Sequence, residues 1–389
     1  MNLHGGHRRG VSVHVETLDT TDMKWGLFIF FLIHGFIHFM GFAKAFGFVE
    51  LPQLNQPVTK GMGLVWLVAG LLVLLAAVLF VYAPRVWWMV GFAAVLFSQV
   101  AIISSWYDAR FGTLVNVIML IGVIYGFAAQ GPLSFNREYM DEVQKHLEMP
   151  VSHRLVEEDD LQPLPVLLQR YLRKAGAVGQ PFIHHFKATW QGRIRATKDD
   201  PWMTFTAEQH NFIDDPKRFF IMKAKKGGLP VDVLHVFQDG SAAMRVRLLS
   251  LFTMVNASGP ELTRAETVTL FNDLCLLAPS VLIDSAITWT LIDEQSIRGY
   301  YTVGSNTISA VLVFNENDEL VDFISDDRLV ALPDGSGFAK QRWSTPVKNY
   351  KHFGQRYALT FGEGRWYPKE GEFAYIELEL LDLQINNNK

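Results

Sequence analysis

The chain has 389 residues, of which 49% are hydrophobic, and a formal net charge of −4 at pH 7. That length suffices for a membrane bundle together with one or two soluble domains. The charge is small and no dense stripe of Lys and Arg occurs, which argues against a nucleic-acid-binding surface. The single cysteine, Cys275, excludes an internal disulfide and a cysteine-based metal cluster.

Four long apolar runs follow a polar N-terminal stretch, residues 1–22, that we predict to be a disordered extension. The runs are Trp25–Phe42, Met62–Tyr82, Val86–Trp106 and Phe111–Ala129. Each has about 18 to 21 residues, enough to cross a ~30 Å hydrocarbon core at 1.5 Å rise per residue. None contains Asp, Glu, Lys or Arg. The pattern therefore predicts a four-helix transmembrane domain over residues 23–130.

The distribution of Lys and Arg beside the runs bears on orientation, because cytoplasmic loops carry the excess of positive charge. Six such residues lie on the side of the N-terminus, Arg8, Arg9, Lys24, Arg85, Arg137 and Lys145, against three on the other side, Lys44, Lys60 and Arg110. The count favours both termini in the cytoplasm, so we expect an inner-membrane protein whose soluble domain is cytoplasmic. If translation begins at Met23, the margin falls to four against three.

Polar residues inside the apolar runs are functional candidates, because they are costly in lipid. His34 and His38 are spaced i, i+4 and share one face of the first helix. Two imidazoles one turn apart can bind haem iron or another metal, relay protons or contact a quinone head group. The alternative is that they hydrogen-bond to neutral partners on other helices, such as Gln99 and Asn116, and stabilise the bundle.

The remainder of the chain predicts a juxtamembrane linker, residues 131–160, and a β-rich soluble domain, residues 161–389. A short helix is expected over Ser134–Leu147 in the linker and another over Pro163–Gly176. After Pro181, about ten or eleven short runs with period-two alternation indicate antiparallel strands, interrupted by a helix over Glu261–Asp284 that Pro279 breaks. We predict an α+β membrane protein whose antiparallel half-barrel wraps on this central helical insertion.

Several blocks of the soluble half are familiar: Phe271–Pro279, Ile308–Asn315, Leu320–Arg328 and Trp343–Pro346. Together they resemble an uncharacterised bacterial family, a domain of unknown function, over Leu161–Asn386. The order of strands and helix is also similar in architecture to the LolA-like lipoprotein carriers, whose half-barrel holds acyl chains. This resemblance implies a hydrophobic ligand and transfers no individual residue.

The membrane half has its own resemblance, carried by His34-Gly-Phe-Ile-His38 and Gly41-Phe-Ala-Lys44. These segments look like those of the DoxX-type four-helix membrane proteins. That family is linked with redox and quinone processes. The resemblance implies such a role for the bundle but maps no cofactor ligand onto this chain.

The candidate ligand-binding residues of the soluble half are large apolar side chains and one polar pair near a strand end. They are Phe205, Phe271, Leu274, Trp289, Asp327, Arg328 and Trp343. The aromatic residues either fill the core or line a hydrophobic cavity. Asp327 and Arg328 either fix an anionic ligand or form a turn cap and an ion pair.

Three functions follow as hypotheses, and none assigns a catalytic residue or a metal site. The first is a membrane-anchored binding protein for a lipid or other hydrophobic molecule. The second is a membrane redox protein, or an accessory subunit, that uses a quinone or haem at His34 and His38. The third is a structural or partner-binding module.

Overall fold

The computed structural model describes residues 20–148, 152–331 and 337–387. It divides into two compact units, Met1–Gly131 and Pro132–Lys389. Residues 1–19 of the predicted extension lie outside the described residues, and residues 20–22 begin the first helix.

The first unit is a bundle of helices, and it confirms the four predicted spans. Its helices are α1 (Thr20–Ala45), α2 (Lys60–Tyr82), α3 (Trp87–Ser104), α4 (Trp106–Ala109) and α5 (Gly112–Gln130). All but the short α4 are long and apolar enough to cross a membrane. Many of their large apolar side chains are exposed, as a lipid-facing surface requires. The helices pack in chain order, α1 on α2, α2 on α3 and α3 on α5.

Glycines allow α1 and α2 to approach closely. A Cβ atom at Gly70 would lie 2.9 Å from the carbonyl oxygen of Gly35, and a Cβ at Gly41 would overlap the Trp66 ring. Small residues at such crossings are the usual basis of helix association in lipid, where no hydrophobic effect drives it.

The second unit has four α-helices among its described residues: α6 (Phe135–Leu147), α7 (Glu158–Leu161), α8 (Val166–Lys174) and α9 (Pro260–Leu277). A 3₁₀ turn, Pro279–Ile283, follows α9 at the predicted proline break. The helix predicted within the linker is α6, and Ser134 caps its N-terminus. Its apolar residues Phe135, Tyr139 and Val143 form one cluster with Phe219 and Leu234 of the sheet. Residues 135–147 are therefore a packed helix.

The strands, in chain order, are β1 (His185–Ile194), β2 (Met203–Phe212), β3 (Lys217–Lys226), β4 (Leu229–Gln238), β5 (Ser241–Leu248), β6 (Phe252–Ser258), β7 (Ile287–Leu291), β8 (Ser296–Val303), β9 (Asn306–Phe314), β10 (Leu320–Ser325), β11 (Leu329–Ala331), β12 (Phe338–Lys340), β13 (Trp343–Ser344), β14 (Val347–Lys348), β15 (Lys351–Phe353), β16 (Arg356–Ala358), β17 (Phe361–Trp366) and β18 (Phe373–Ile385). The predicted ten or eleven strands include most of the longer ones but not β6 and β17, which have seven and six residues. The other additional strands have two or three residues, which is too short to show an alternating pattern.

One large antiparallel sheet forms the body of this unit, in the order β6-β5-β4-β3-β2-β1-β18-β17-β13-β10-β9-β8-β7, with β14 pairing with β17. The sheet curls into a half-barrel. Helix α9 joins β6 to β7, the two ends of that order, and its residues Val268, Leu270 and Phe271 are fully buried in the main core with residues from both ends of the sheet. The predicted half-barrel wrapped on a central helix is confirmed.

Candidate ligand cavity

A cavity of about 280 Å³ lies between the sheet and α9. Its apolar walls come from the sheet and from the helix, including Phe220, Met222, Leu276, Leu359 and Leu378. A curved sheet leaves such a space when the side chains on its concave face do not fill it.

A cluster of buried charged groups forms part of the cavity wall. Arg218 of β3 donates from Nε to Asp273 Oδ2 of α9 at 2.6 Å, and its Nη1 lies 3.4 Å from Glu266 Oε2 of the same helix. His235 Nδ1 of β4 lies 3.4 Å from Glu266 Oε1. Gln209 of β2 donates to Asp273 Oδ2 at 2.7 Å. The cluster therefore ties three neighbouring strands to the helix.

Arg218 and Glu266 favour each other's charged form, whereas burial raises the pKa of Asp273 in spite of its arginine partner. Burial alone would raise the pKa of Glu266, but the nearby charges of His235, Arg218 and Arg328 outweigh it and lower that pKa to about 2. Burial opposes the charge of Arg218 as well, but Asp273 and Glu266 keep the pKa of its guanidinium above the ordinary value. Breaking such a network on one side leaves an uncompensated buried charge, which typically costs about 3–5 kcal/mol.

Apart from His235, whose Nδ1 lies 3.4 Å from Glu266 Oε1, five residues that line the cavity carry a buried polar atom with no hydrogen-bond partner among the described residues. The atoms are Trp190 Nε1, Asn272 Oδ1, Arg328 Nε, Trp343 Nε1 and Thr345 Oγ1. A buried donor or acceptor left unpaired costs about 1–3 kcal/mol, so native proteins contain few of them. Their concentration around one cavity is the pattern that a polar ligand group would satisfy.

The arrangement offers binding chemistry: apolar walls and hydrogen-bond donors. Cys275 is buried in the same core, and burial raises the pKa of its thiol well above the ordinary value, which keeps it from acting as a thiolate nucleophile. Among residues 20–148, 152–331 and 337–387 no group of three or more His, Cys, Asp or Glu is placed to hold a metal ion.

The structure brings two of the seven candidate ligand-binding residues to the cavity, Arg328 and Trp343. Phe205, Phe271 and Leu274 are buried in the main hydrophobic core. None of these three is among the residues that line the cavity.

The other two candidates, Trp289 and Asp327, make contacts within the fold. Trp289 Nε1 donates to the carbonyl oxygen of Leu282 at 3.3 Å. Asp327 pairs with Arg264 and accepts a hydrogen bond from the backbone N–H of Ser309. A role in binding stays a prediction for all seven candidates.

The four intramembrane candidates form one hydrogen-bonded cluster in the bundle. His34 Nε2 lies 3.1 Å from Asn116 Oδ1, and His38 Nε2 lies 2.8 Å from Ser98 Oγ. Ser98 in turn donates to Asn116 Oδ1, and Asn116 donates to Gln99 Oε1. Every member of the cluster is therefore paired with a neutral group on another helix.

A second cavity, of about 330 Å³, adjoins this cluster and is lined by His34, His38, Trp66 and Asp108 with several apolar residues. His38 Nδ1 and Trp66 Nε1 have no hydrogen-bond partner among the described residues. Because the Ser98 hydroxyl already donates to Asn116, it accepts from His38 Nε2–H. In the neutral imidazole the remaining Nδ1 is then an acceptor.

The buried charged cluster is the part of the site that our sequence analysis missed. Its strand members are scattered over three strands, and nothing in the local pattern joins them. One signal was available: Glu266 and Asp273 are seven residues apart in the helix predicted at the centre of the half-barrel. Two acids at i, i+7 share one face, and acids on a buried face require a basic partner.

Comparisons with known proteins give a family and a distant structural likeness. Residues 154–378 match the family of unknown function DUF6544. A crystal structure of a domain described as an outer membrane lipoprotein-sorting protein, from Vibrio parahaemolyticus, is 11% identical, with a TM-score of 0.35; the match covers 57% of this chain and 91% of that one. A search of curated proteins finds no match.

Proposed function

Since the chain belongs to the family of unknown function DUF6544, whose description names no activity, we propose from the cavity itself that this is a membrane-anchored binding protein for a small amphipathic molecule. The observation that carries the proposal is the concentration of unpaired buried polar atoms around an apolar cavity of about 280 Å³. Binding sites for small molecules combine these two features, a mostly apolar wall and a few polar groups that orient the ligand.

The membrane helices supply the second element of the proposal. A ligand with a large apolar part partitions into the bilayer, and an anchored domain meets it there at high local concentration. The excess of Lys and Arg on one side of the spans supports an inner-membrane protein whose soluble unit is cytoplasmic. In that arrangement the molecule bound is a lipid or another hydrophobic compound of the cytoplasmic leaflet.

Native mass spectrometry of the full chain in lipid nanodiscs tests the proposal. We expect one equivalent of a small amphiphile to remain bound after purification. A Met222→Trp variant, which fills the cavity, should lose it. Ile221→Trp is the matched control, because Ile221 is the neighbouring residue, is equally buried at 6% exposure and does not line the cavity.

Overpacking costs about 1–3 kcal/mol at either position, so the two variants lose comparable stability. The proposal is contradicted if both variants retain the ligand equally. It is also contradicted if the wild-type chain is well folded, retains no small molecule and takes up none when amphiphiles are added.

A second candidate function belongs to the membrane unit and is favoured by the free acceptor on His38. The cavity beside His34 and His38 suits the head group of a membrane-soluble molecule that donates a hydrogen bond, such as the hydroxyl of a reduced quinone. A haem fits less well, because the Nε2 atoms of both histidines are already engaged by Ser98 and Asn116. The test combines a visible absorption spectrum of the purified chain, which detects haem, with an ultraviolet spectrum of its solvent extract, which detects quinone, before and after His38→Phe. A quinone or haem absorption that persists unchanged in the variant would count against this site.

A further inference from the structure

In the wall of the cavity between the sheet and α9, Arg328 forms no ion pair with any of the described residues. Arg328 donates from Nη1 to the carbonyl oxygen of Ala265 at 3.1 Å and to the hydroxyl of Thr269, both neutral groups of α9. Its guanidinium carbon lies 4.6 Å from the centre of the Trp343 ring. Among the residues that the structure describes, no carboxylate forms an ion pair with it.

The acids near Arg328 are already paired with other arginines. Asp326 pairs with Arg342, at 2.8 Å, and Asp327 pairs with Arg264, at 2.5 Å. The charge of Arg328 helps to lower the pKa of Glu266, but the ion pairs of Glu266 are with Arg218 and His235. A partly buried arginine without an anionic partner is unusual, because desolvating the charge is costly when nothing offsets it.

Most of the unpaired atoms of the cavity wall are hydrogen-bond donors. Three of the five, Arg328 Nε, Trp343 Nε1 and Trp190 Nε1, can only donate a hydrogen bond, whereas one, Asn272 Oδ1, can only accept. The hydroxyl of Thr345 can do either. A ligand that satisfies this wall must therefore bring acceptors.

From these observations we propose that the ligand is an amphiphile whose polar end is a carboxylate, bound by Arg328 and the indole N–H of Trp343. This inference rests on the proposed binding function and specifies its ligand class. A carboxylate has the acceptor geometry that a guanidinium fits best, and a charge-assisted bond is about twice as strong as a neutral one. Glu266 and Asp273 in the same wall disfavour a doubly charged group by repulsion, so a single negative charge is expected.

The experiment compares two probes of equal chain length, decanoate and decanol, on the full chain in nanodiscs at neutral pH. Displacement of the neutral fluorescent probe N-phenyl-1-naphthylamine reports binding, with empty nanodiscs as the blank. We expect wild-type protein to bind decanoate about tenfold more tightly than decanol. Arg328→Gln should bring decanoate to the affinity of decanol while leaving decanol unchanged, and that unchanged affinity shows that the variant is folded.

Two further variants make the test specific. Arg328→Lys keeps the charge without the planar fork and should retain part of the preference. Trp343→Phe keeps the ring and removes the N–H, and should weaken decanoate about fivefold and decanol much less. Arg342→Gln, which removes an exposed and already paired arginine, is the control and should change neither probe.

The outcomes separate the two proposals. Equal affinity of the wild-type protein for decanol and decanoate would overturn the carboxylate site and leave the binding function standing. Binding of neither probe would overturn both. A preference for decanoate that survives Arg328→Gln would show that another group binds the carboxylate, and would overturn the role of Arg328.

Discussion

Each of the two units contains a cluster of buried polar side chains, but the two clusters differ in composition. In the bundle the cluster is built from neutral groups: two imidazoles, a serine, an asparagine and a glutamine. In the second unit it is built from charged groups, Arg218 with Asp273 and Glu266. Both clusters adjoin a cavity.

The difference follows from the surroundings. A charged side chain at mid-bilayer costs roughly 3 kcal/mol or more. Helices in a lipid-solvated bundle are therefore joined by hydrogen bonds between neutral groups. A water-soluble unit can bury charges if each meets an opposite one, and the cross-links then become strong but intolerant of the loss of one partner. The two clusters should therefore respond very differently to substitution.

The largest expected effect is at Arg218. Replacing it with Met leaves Asp273 buried without its counter-ion and Glu266 with only the positive charges of His235 and Arg328, so we expect the free energy of unfolding of the second unit to fall by about 3–5 kcal/mol. Urea unfolding of the full chain in nanodiscs, followed by near-ultraviolet circular dichroism, measures it. Adding Asp273→Asn should recover part of the loss. A loss below about 1 kcal/mol would show that the cluster contributes little to stability.

Acid should weaken the same cluster through Glu266. Its pKa is lowered in the folded state to about 2 by the nearby positive charges, against 4.5 as its ordinary value. The resulting stabilisation is full above pH 4.5 and is lost as the pH falls from 4.5 to 2, and its size is on the order of 3 kcal/mol.

The measurement is the difference in unfolding free energy between the wild-type chain and Glu266→Gln, as a function of pH. That difference should be constant at neutral pH and shrink below pH 4.5. A difference that does not change between neutral pH and pH 3 would contradict the lowered pKa.

A smaller effect is expected in the bundle. Asn116→Leu removes the group that accepts from His34 and Ser98 and donates to Gln99, yet hydrogen bonds between membrane helices contribute only about 0.6–1.7 kcal/mol each. Because three such bonds are lost, we expect the unfolding free energy of the bundle, measured in bicelles by denaturation with dodecyl sulfate, to fall by about 2 kcal/mol. Val117→Leu, an exposed neighbour on the same helix, is the control. A loss as large as that at Arg218 would remove the contrast between the two clusters.

The smallest effect is expected at a charged pair on the surface. Arg342→Met removes the pair with Asp326, whose side chains are 56% and 69% exposed. Exposed pairs contribute about 0–1 kcal/mol, so the midpoint of urea unfolding should hardly move. A large shift would mean that burial does not account for the importance of Arg218.

The fold is mostly predictable from sequence, whereas the site is only partly so. The spans follow from uninterrupted apolar length, and the long strands and α9 follow from their periodicity, because each of these signals is local. Arg328 was found as one of a polar pair near a strand end, and Trp343 as a large aromatic side chain that either fills the core or lines a cavity. Arg218 and His235 became recognisable only once the strand order placed them beside α9.

The pairing of β1 with β18 determines the order in which the sheet can form. Strands β1 to β6 are a meander of neighbours, but β1 is also bonded to β18, in a register that joins Thr189 to Asp382. During synthesis the first meander can assemble early with its β1 edge open. Any chain that stopped before β18 would expose that edge to other strands, so premature termination near residue 370 should yield aggregates rather than a smaller soluble protein.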